Sequence, residues 1–188
     1  NPINLVSRGV LPVAICGTAD FDVATINVTT IKLTRQGLND GVSPIRWDYE
    51  DVATPWTGEP GGGHALGGDG YLDLTLKFSK QEVIATLGLD AFLGQKIPLI
   101  ITGNLNTASG GTSITGQDYV WILELHGDAN DDLVVNIVDV SVLSAHWYPG
   151  PPTGPLGYDT VSDLNGDGAV NIVDLSITSS QWGQFWQP

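Results

Sequence analysis

The chain has 188 residues, 41% of them hydrophobic, with 21 acidic residues against 7 basic ones and a formal net charge of −14. That length and apolar content describe a folding chain of one large or two small domains rather than a disordered one. The charge weighs against nucleic acid and against anionic membrane surfaces, both of which need clustered Lys and Arg; it suits a cation binder, or acids that simply maintain solubility.

Up to about residue 125 the chain reads as strands. "GVLPVAI" is a short apolar run, and Cys16 directly after it is the single cysteine, so no intrachain disulfide forms and the thiol reads as a small buried hydrophobe. "TINVTTIKL" is rich in β-branched residues. "RWDYEDV" reads as an edge strand protected by its charges. "YLDLTLKF" alternates, which places Leu72, Leu74, Leu76 and Phe78 on one face and Asp73, Thr75 and Lys77 on the other. Ser79 followed by Glu82 is a capping box that opens a helix over "KQEVIATL", and Gly88 stops it. "KIPLIITG" and "YVWILEL" are further strands. Short strands punctuated by Gly, Pro, Asn and Asp predict a β-sandwich-like domain over residues 1–125.

The character changes over 126–188. "GDANDDLVVNIVD" (127–139) and "SDLNGDGAVNIVD" (162–174) are two copies of one pattern, each followed by an apolar helical period. Val140, Leu143 and Trp147 share a face in the first copy; Leu175, Ile177 and Trp182 mark the second. "YPGPPTGPLG" between the copies cannot be helical. "WILEL" runs almost directly into the first copy, so a rigid junction with the β domain is expected.

Counting from Asp128, loop positions 1, 3, 5, 7, 9 and 12 hold Asp128, Asn130, Asp132, Val134, Asn136 and Asp139; in the second copy they hold Asp163, Asn165, Asp167, Ala169, Asn171 and Asp174. Calcium takes six to eight oxygens, and this spacing supplies them from side chains at 1, 3 and 5, the carbonyl at 7, position 9 directly or through water, and a carboxylate at 12. The pattern predicts two calcium ions. Position 6 needs a positive φ; Gly168 provides it in the second loop, whereas Leu133 strains the first, and weaker binding or an adjusted geometry is expected there.

Two loop-then-helix units, with Asp rather than Glu at position 12, resemble a type I dockerin, and "DLNGDGAVNIVDLS" carries most of the resemblance. It covers about 126–188 and implies that calcium folds the module and that a cohesin is the partner. It also implies that loop positions 10 and 11, here Ile137-Val138 and Ile172-Val173, choose that partner. The Pro-rich connector is longer than in the usual dockerin.

"NPINLVSRGVLPVAICGTADFDVATINVTTIKL" and "YEDVATPWTGE…HALGGDGYLDLTLKF" resemble a β domain of secreted bacterial and archaeal proteins that often occurs beside dockerins, without known catalysis. That resemblance implies a calcium-type loop ahead of "YLDL", where Ala65, Gly67, Asp69 and Gly70 now stand before Asp73, two ligand positions having lost their donors. It also implies a further edge strand ahead of the residues matching Asn1-Pro2-Ile3-Asn4; either another chain supplies it by strand addition or the domain closes without it.

An enzyme of the glycosidase type needs two facing carboxylates. Asp48, Glu50 and Asp51 are the candidates, with Trp47 and Trp56 as sugar platforms, but they suit a charged edge strand as well. His64, His126 and His146 are scattered and form no zinc pattern. Asn27-Val28-Thr29 is a formal glycosylation sequon. The expectation is therefore a secreted, extracellular or cell-surface calcium-binding assembly protein without catalysis and without a membrane span. It self-associates head to tail, into filaments or a surface layer, through the β domain and the dockerin-like tail. The alternatives are an adaptor for a separate cohesin-like domain, or a carbohydrate-binding module.

Overall fold

Alternating runs become strands because one pleat face finds apolar cover. The computed structural model describes residues 1–58, 61–62, 66–148 and 159–185. The protein is mainly β, with two helices near its C-terminal end. The elements are β1 (Pro2–Asn4), β2 (Val10–Ile15), β3 (Ile26–Arg35), β4 (Arg46–Glu50), β5 (Asp73–Ser79), α1 (Lys80–Leu87), β6 (Lys96–Leu105), β7 (Ser113–Leu123), α2 (Ile137–Ala145) and α3 (Ile172–Ser180). No helix among the described residues is long and apolar enough to cross a membrane.

The chain divides into two compact units. One comprises Asn1 with Val10–Trp121; the other combines Pro2–Gly9 with the chain from Ile122 onward.

In the first unit, β5 is the centre of a three-stranded antiparallel sheet ordered β2-β5-β4. Leu74, Leu76 and Phe78 are fully buried and face Ile15, Val13 and Leu11 across the β2 ladder. A second antiparallel sheet runs β7-β6-β3. Ile31, Leu33, Leu99 and Val120 give this sheet its buried face. The helix after β5 forms as its caps dictate: Ser79 accepts from Glu82 N, and Gly88 ends it at φ 59°, a left-handed conformation that suits glycine.

The alternation on β5 fails at its first residues. Leu72 is 57% exposed, while Asp73 is fully buried. The carboxylate of Asp73 accepts from Gly17 N at 3.0 Å, Val52 N at 3.0 Å and Ala53 N at 2.9 Å. Three loop amides have no ladder partner and need this acceptor, and that need outweighs the apolar pattern. Cys16 beside this turn is half-buried rather than buried. Burial pushes its thiol up, and the charges of Asp73 and Asp69 add to the shift. β4 is an edge strand with every residue exposed, as expected, and the amide of Tyr49 is capped by Asp48 Oδ1 at 2.8 Å.

In the second unit, α2 packs against α3 over a small core of Ala129, Leu143 and Val170, joined by Val142, Tyr148 and Leu164. The two tryptophans are not part of it. Trp147 and Trp182 lie beyond the helix ends and are 46% and 54% exposed. Thr178, in the register of Leu143, takes the buried place in α3 and donates to Gly127 O at 3.3 Å.

Candidate calcium-loop pair

Each loop wraps its own first carboxylate. Asp128 Oδ1 accepts from Asp132 N at 3.0 Å, and Oδ2 accepts from Leu133 N at 2.9 Å. In the second loop Asp163 accepts from Gly166 N at 2.7 Å, Asp167 N at 3.2 Å and Gly168 N at 2.9 Å. Position 3 repeats the device one step out: Asn130 Oδ1 accepts from Asp132 N and Asn165 Oδ1 from Asp167 N, at 3.1 and 3.0 Å. Their amide nitrogens donate to Asp132 Oδ2 and Asp167 Oδ2 at 2.8 and 2.9 Å. Asp132 and Asp167 in turn accept from the amides of Val134 and Ala169, both at 2.9 Å. These Asx-type bonds turn the chain tightly around the side chains at positions 1, 3 and 5.

The last two positions also serve the helices. Asn136 and Asn171 are the N-caps of α2 and α3, accepting from Val138 N and Val173 N at 2.7 and 2.8 Å. Asp139 and Asp174, both fully buried, close capping boxes by accepting from Asn136 N and Asn171 N at 2.8 Å. Their other oxygens reach back across the loop, to Ala129 N at 2.8 Å and to Leu164 N at 2.8 Å. Position 12 therefore ties each loop to its helix. Metal-ligand spacing alone does not signal this double role, although the Asn-x-x-Asp pattern at loop positions 9 and 12 is a capping-box variant.

The two copies also clasp one another. Val135 N donates to Gln184 O at 2.8 Å and Val135 O accepts from Gly183 N at 2.9 Å. Val170 and Tyr148 exchange the equivalent pair at 2.7 and 2.8 Å. Each loop is bonded to the segment that follows the other copy's helix, so neither copy completes its backbone bonding alone.

The backbone shows where the copies differ. Gly166 and Gly168 have φ of 73° and 88°; Asp131 and Leu133 hold the same places at 62° and 70°. Among the described residues these are the non-glycine positions with positive φ. Asp tolerates the region, whereas Leu is strained there.

Among the described residues, no group of three or more Asp, Glu, His or Cys side chains forms a cage for a metal. The loops instead mix carboxylate, amide and main-chain oxygens without sulfur or nitrogen ligands, the donor set of a hard cation. Asp128 bears on the fit. It is 6% exposed, and its pKa is raised to about 6, first by burial, then by Asp139 and Asp131, against the lowering effect of the Leu133 and Asp132 amides. A bound cation would compensate that disfavoured charge. The residues present therefore fit calcium.

The remaining polar candidates are engaged elsewhere. Asp51 accepts from Asp69 N and Gly70 N at 2.9 and 2.8 Å, and Asp69 accepts from Tyr71 N at 3.1 Å, while Asp73 is held as described. His64 and Ala65 lie outside the described residues. His146 Nδ1 lies 3.1 Å from Ser162 Oγ, which donates to Asp159 Oδ2 at 2.7 Å. The same ring nitrogen is 3.7 Å from that carboxylate, so hydroxyl and acid meet one nitrogen rather than opposite ends of the imidazole, and no proton relay of the triad type is formed.

The four residues at loop positions 10 and 11 stand open on the first turns of the helices. Ile137, Val138, Ile172 and Val173 are 62%, 46%, 64% and 44% exposed. No curated protein and no solved structure matches the chain. Over residues 126–180, which carry both loops and both helices, the chain matches the family model of the dockerin type I domain, a non-catalytic, calcium-binding module of protein–protein interaction.

Proposed function

We propose that this chain is an extracellular assembly protein in which two calcium ions, one per loop, set a docking surface for another copy. In the first loop Asp128, Asn130, Asp132, the carbonyl of Val134, Asn136 and Asp139 hold one ion. Asp163, Asn165, Asp167, the carbonyl of Ala169, Asn171 and Asp174 hold the other. When bound, the ion neutralises the loop carboxylates and fixes the start of the helix behind them. The chain's own part is to present Ile137-Val138 and Ile172-Val173 from those rigid first turns.

The observation that carries this is the exposure of two branched apolar pairs at equivalent places in the two copies. Leaving such side chains in water on short, capped helices is unfavourable unless a partner covers them. The assembly runs head to tail, the dockerin-like tail of one chain meeting the β domain of the next. Edge strand β4, with Trp47 51% and Tyr49 37% exposed, supports an acceptor surface there. A repeating contact of this type grows without closing.

The family match favours a second reading, a separate cohesin-like partner on the same four residues. Light scattering of the native chain in calcium and then in excess chelator separates the two. Polymers in calcium that dissolve with chelator are expected; a monomer near 19.9 kDa in both conditions refutes self-assembly and moves the partner to a cohesin-like domain, testable by pull-down.

A further inference from the structure

The second unit contains eight residues that the chain supplies from its other end. Pro2–Gly9 cluster with the chain beyond Ile122. Asn4 is 1% exposed, and its side chain brackets one residue: Oδ1 accepts from Leu125 N at 2.9 Å and Nδ2 donates to Leu125 O at 3.1 Å. Leu5 N donates to Leu123 O at 2.8 Å. Leu125 stands just ahead of the first calcium loop, so this arm is fastened where the loop begins.

Arg8 extends the arm to the second loop. Its Nη1 donates to Thr160 O at 2.7 Å. Its Nη2 lies 3.0 Å from where a β-carbon on Gly166 would project. Gly166 is position 4 of the second loop; in the first loop that place is Asp131, whose carboxylate oxygen is 3.8 Å from where a β-carbon on Gly9 would project. Arg8 and Gly9 thus pass across the same turn of both loops. A crevice of about 20 Å³ is lined by Arg8 together with Asp128, Asp131 and Asp163, one basic residue among three acidic ones, two of them at the first positions of the two loops.

We infer that Pro2–Gly9 is a structural clasp of the calcium unit and that Arg8 is a positioning residue of the second loop, so that calcium loading and docking of this arm stabilise each other. The guanidinium does two things here. It ties the chain at Thr160, three residues before the first ligand, and it lies close over position 4, where a glycine gives it room. An arm that packs only on formed loops favours their formation by the same free energy, because linkage is reciprocal. The chain therefore carries, more than a hundred residues upstream of the repeat, a segment on which the repeat's calcium affinity depends. The inference rests on the calcium reading of the loops.

The test is hydrogen exchange of the full chain in calcium and in chelator, with calcium uptake counted in parallel by calorimetry. The amides of Leu5 and Ser7 should be protected in calcium and lose protection together with the loops in chelator, while β5 keeps its own. Arg8→Ala should speed exchange of the arm and of the second loop about tenfold in calcium and weaken calcium binding at that loop several-fold. Arg8→Lys, which keeps the charge but not the fork, should fall between. Asn4→Ala should release the arm with Arg8 intact. Calcium uptake with arm exchange unchanged by chelator overturns this inference alone, as does tighter calcium binding in Arg8→Ala, which would make the guanidinium a mere competing charge. Absence of calcium uptake overturns the calcium reading and the clasp with it.

Discussion

Leu133 is the place where the first loop keeps the required geometry with a residue type unsuited to it. At φ 70° it occupies the left-handed region, where an ordinary side chain costs roughly 1–2 kcal/mol. Leu133→Gly alone does not isolate that cost, because it also removes a half-buried side chain. The informative comparison is Leu133→Gly against Leu133→Ala, which both lose that side chain. Gly relieves about 1–2 kcal/mol of strain and gives back about 0.5–1 kcal/mol through its freer unfolded chain. The glycine variant should therefore be the more stable by about 0.5–1 kcal/mol, where an unstrained position favours alanine by a similar amount. In a chain of this length that is roughly 1–4 °C in melting temperature, measured in calcium. If the loop relaxes without calcium, the same energy appears as about two- to fivefold tighter binding at the first site. An alanine variant equal to or more stable than the glycine variant would refute the strain, and with it the expectation that the first loop is the weaker of the two.

Three further outcomes follow from the geometry. The raised Asp128 pKa, from 3.8 to about 6, means that the folded, calcium-free unit holds this proton more tightly than the unfolded chain. Lowering the pH from 7 to 5 should thus stabilise the calcium-free unit while weakening calcium at the first loop about tenfold, because the ion needs the carboxylate; calorimetry showing pH-independent binding there contradicts this. Asp139→Ala removes a proposed ligand and the acceptor of the Ala129, Asn130 and Asn136 amides, so the second unit should lose about 3 kcal/mol and one calcium ion, and full calcium uptake would contradict the assignment. Asp73→Asn leaves one acceptor oxygen for three amides and should cost the first unit about 3 kcal/mol by denaturant titration, without changing calcium uptake.

What the sequence could reveal followed the range of its signals. The two loops, the helices behind them and the caps of α1 are local, and each is set by residues within about a dozen positions of one another. The burial of Asp73 is not local: its amide partners come from Gly17 and from Val52–Ala53, and alternation alone favoured Leu72 instead. Trp147 and Trp182 kept the helical period but fall past the ends of α2 and α3, where the period no longer points at the core. The arm of Pro2–Gly9 left no trace, because Asn4 and Leu125 are 121 residues apart and neither carries a motif.

The central claim is that the repeated loops bind calcium, one ion each. Calorimetric titration of the full chain at pH 7 tests it most directly. Two ions per chain are predicted, with one lost in Asp128→Ala, the other in Asp163→Ala, and both in the double variant. A chain that takes up no calcium, or a double variant that still takes up two ions, would contradict it.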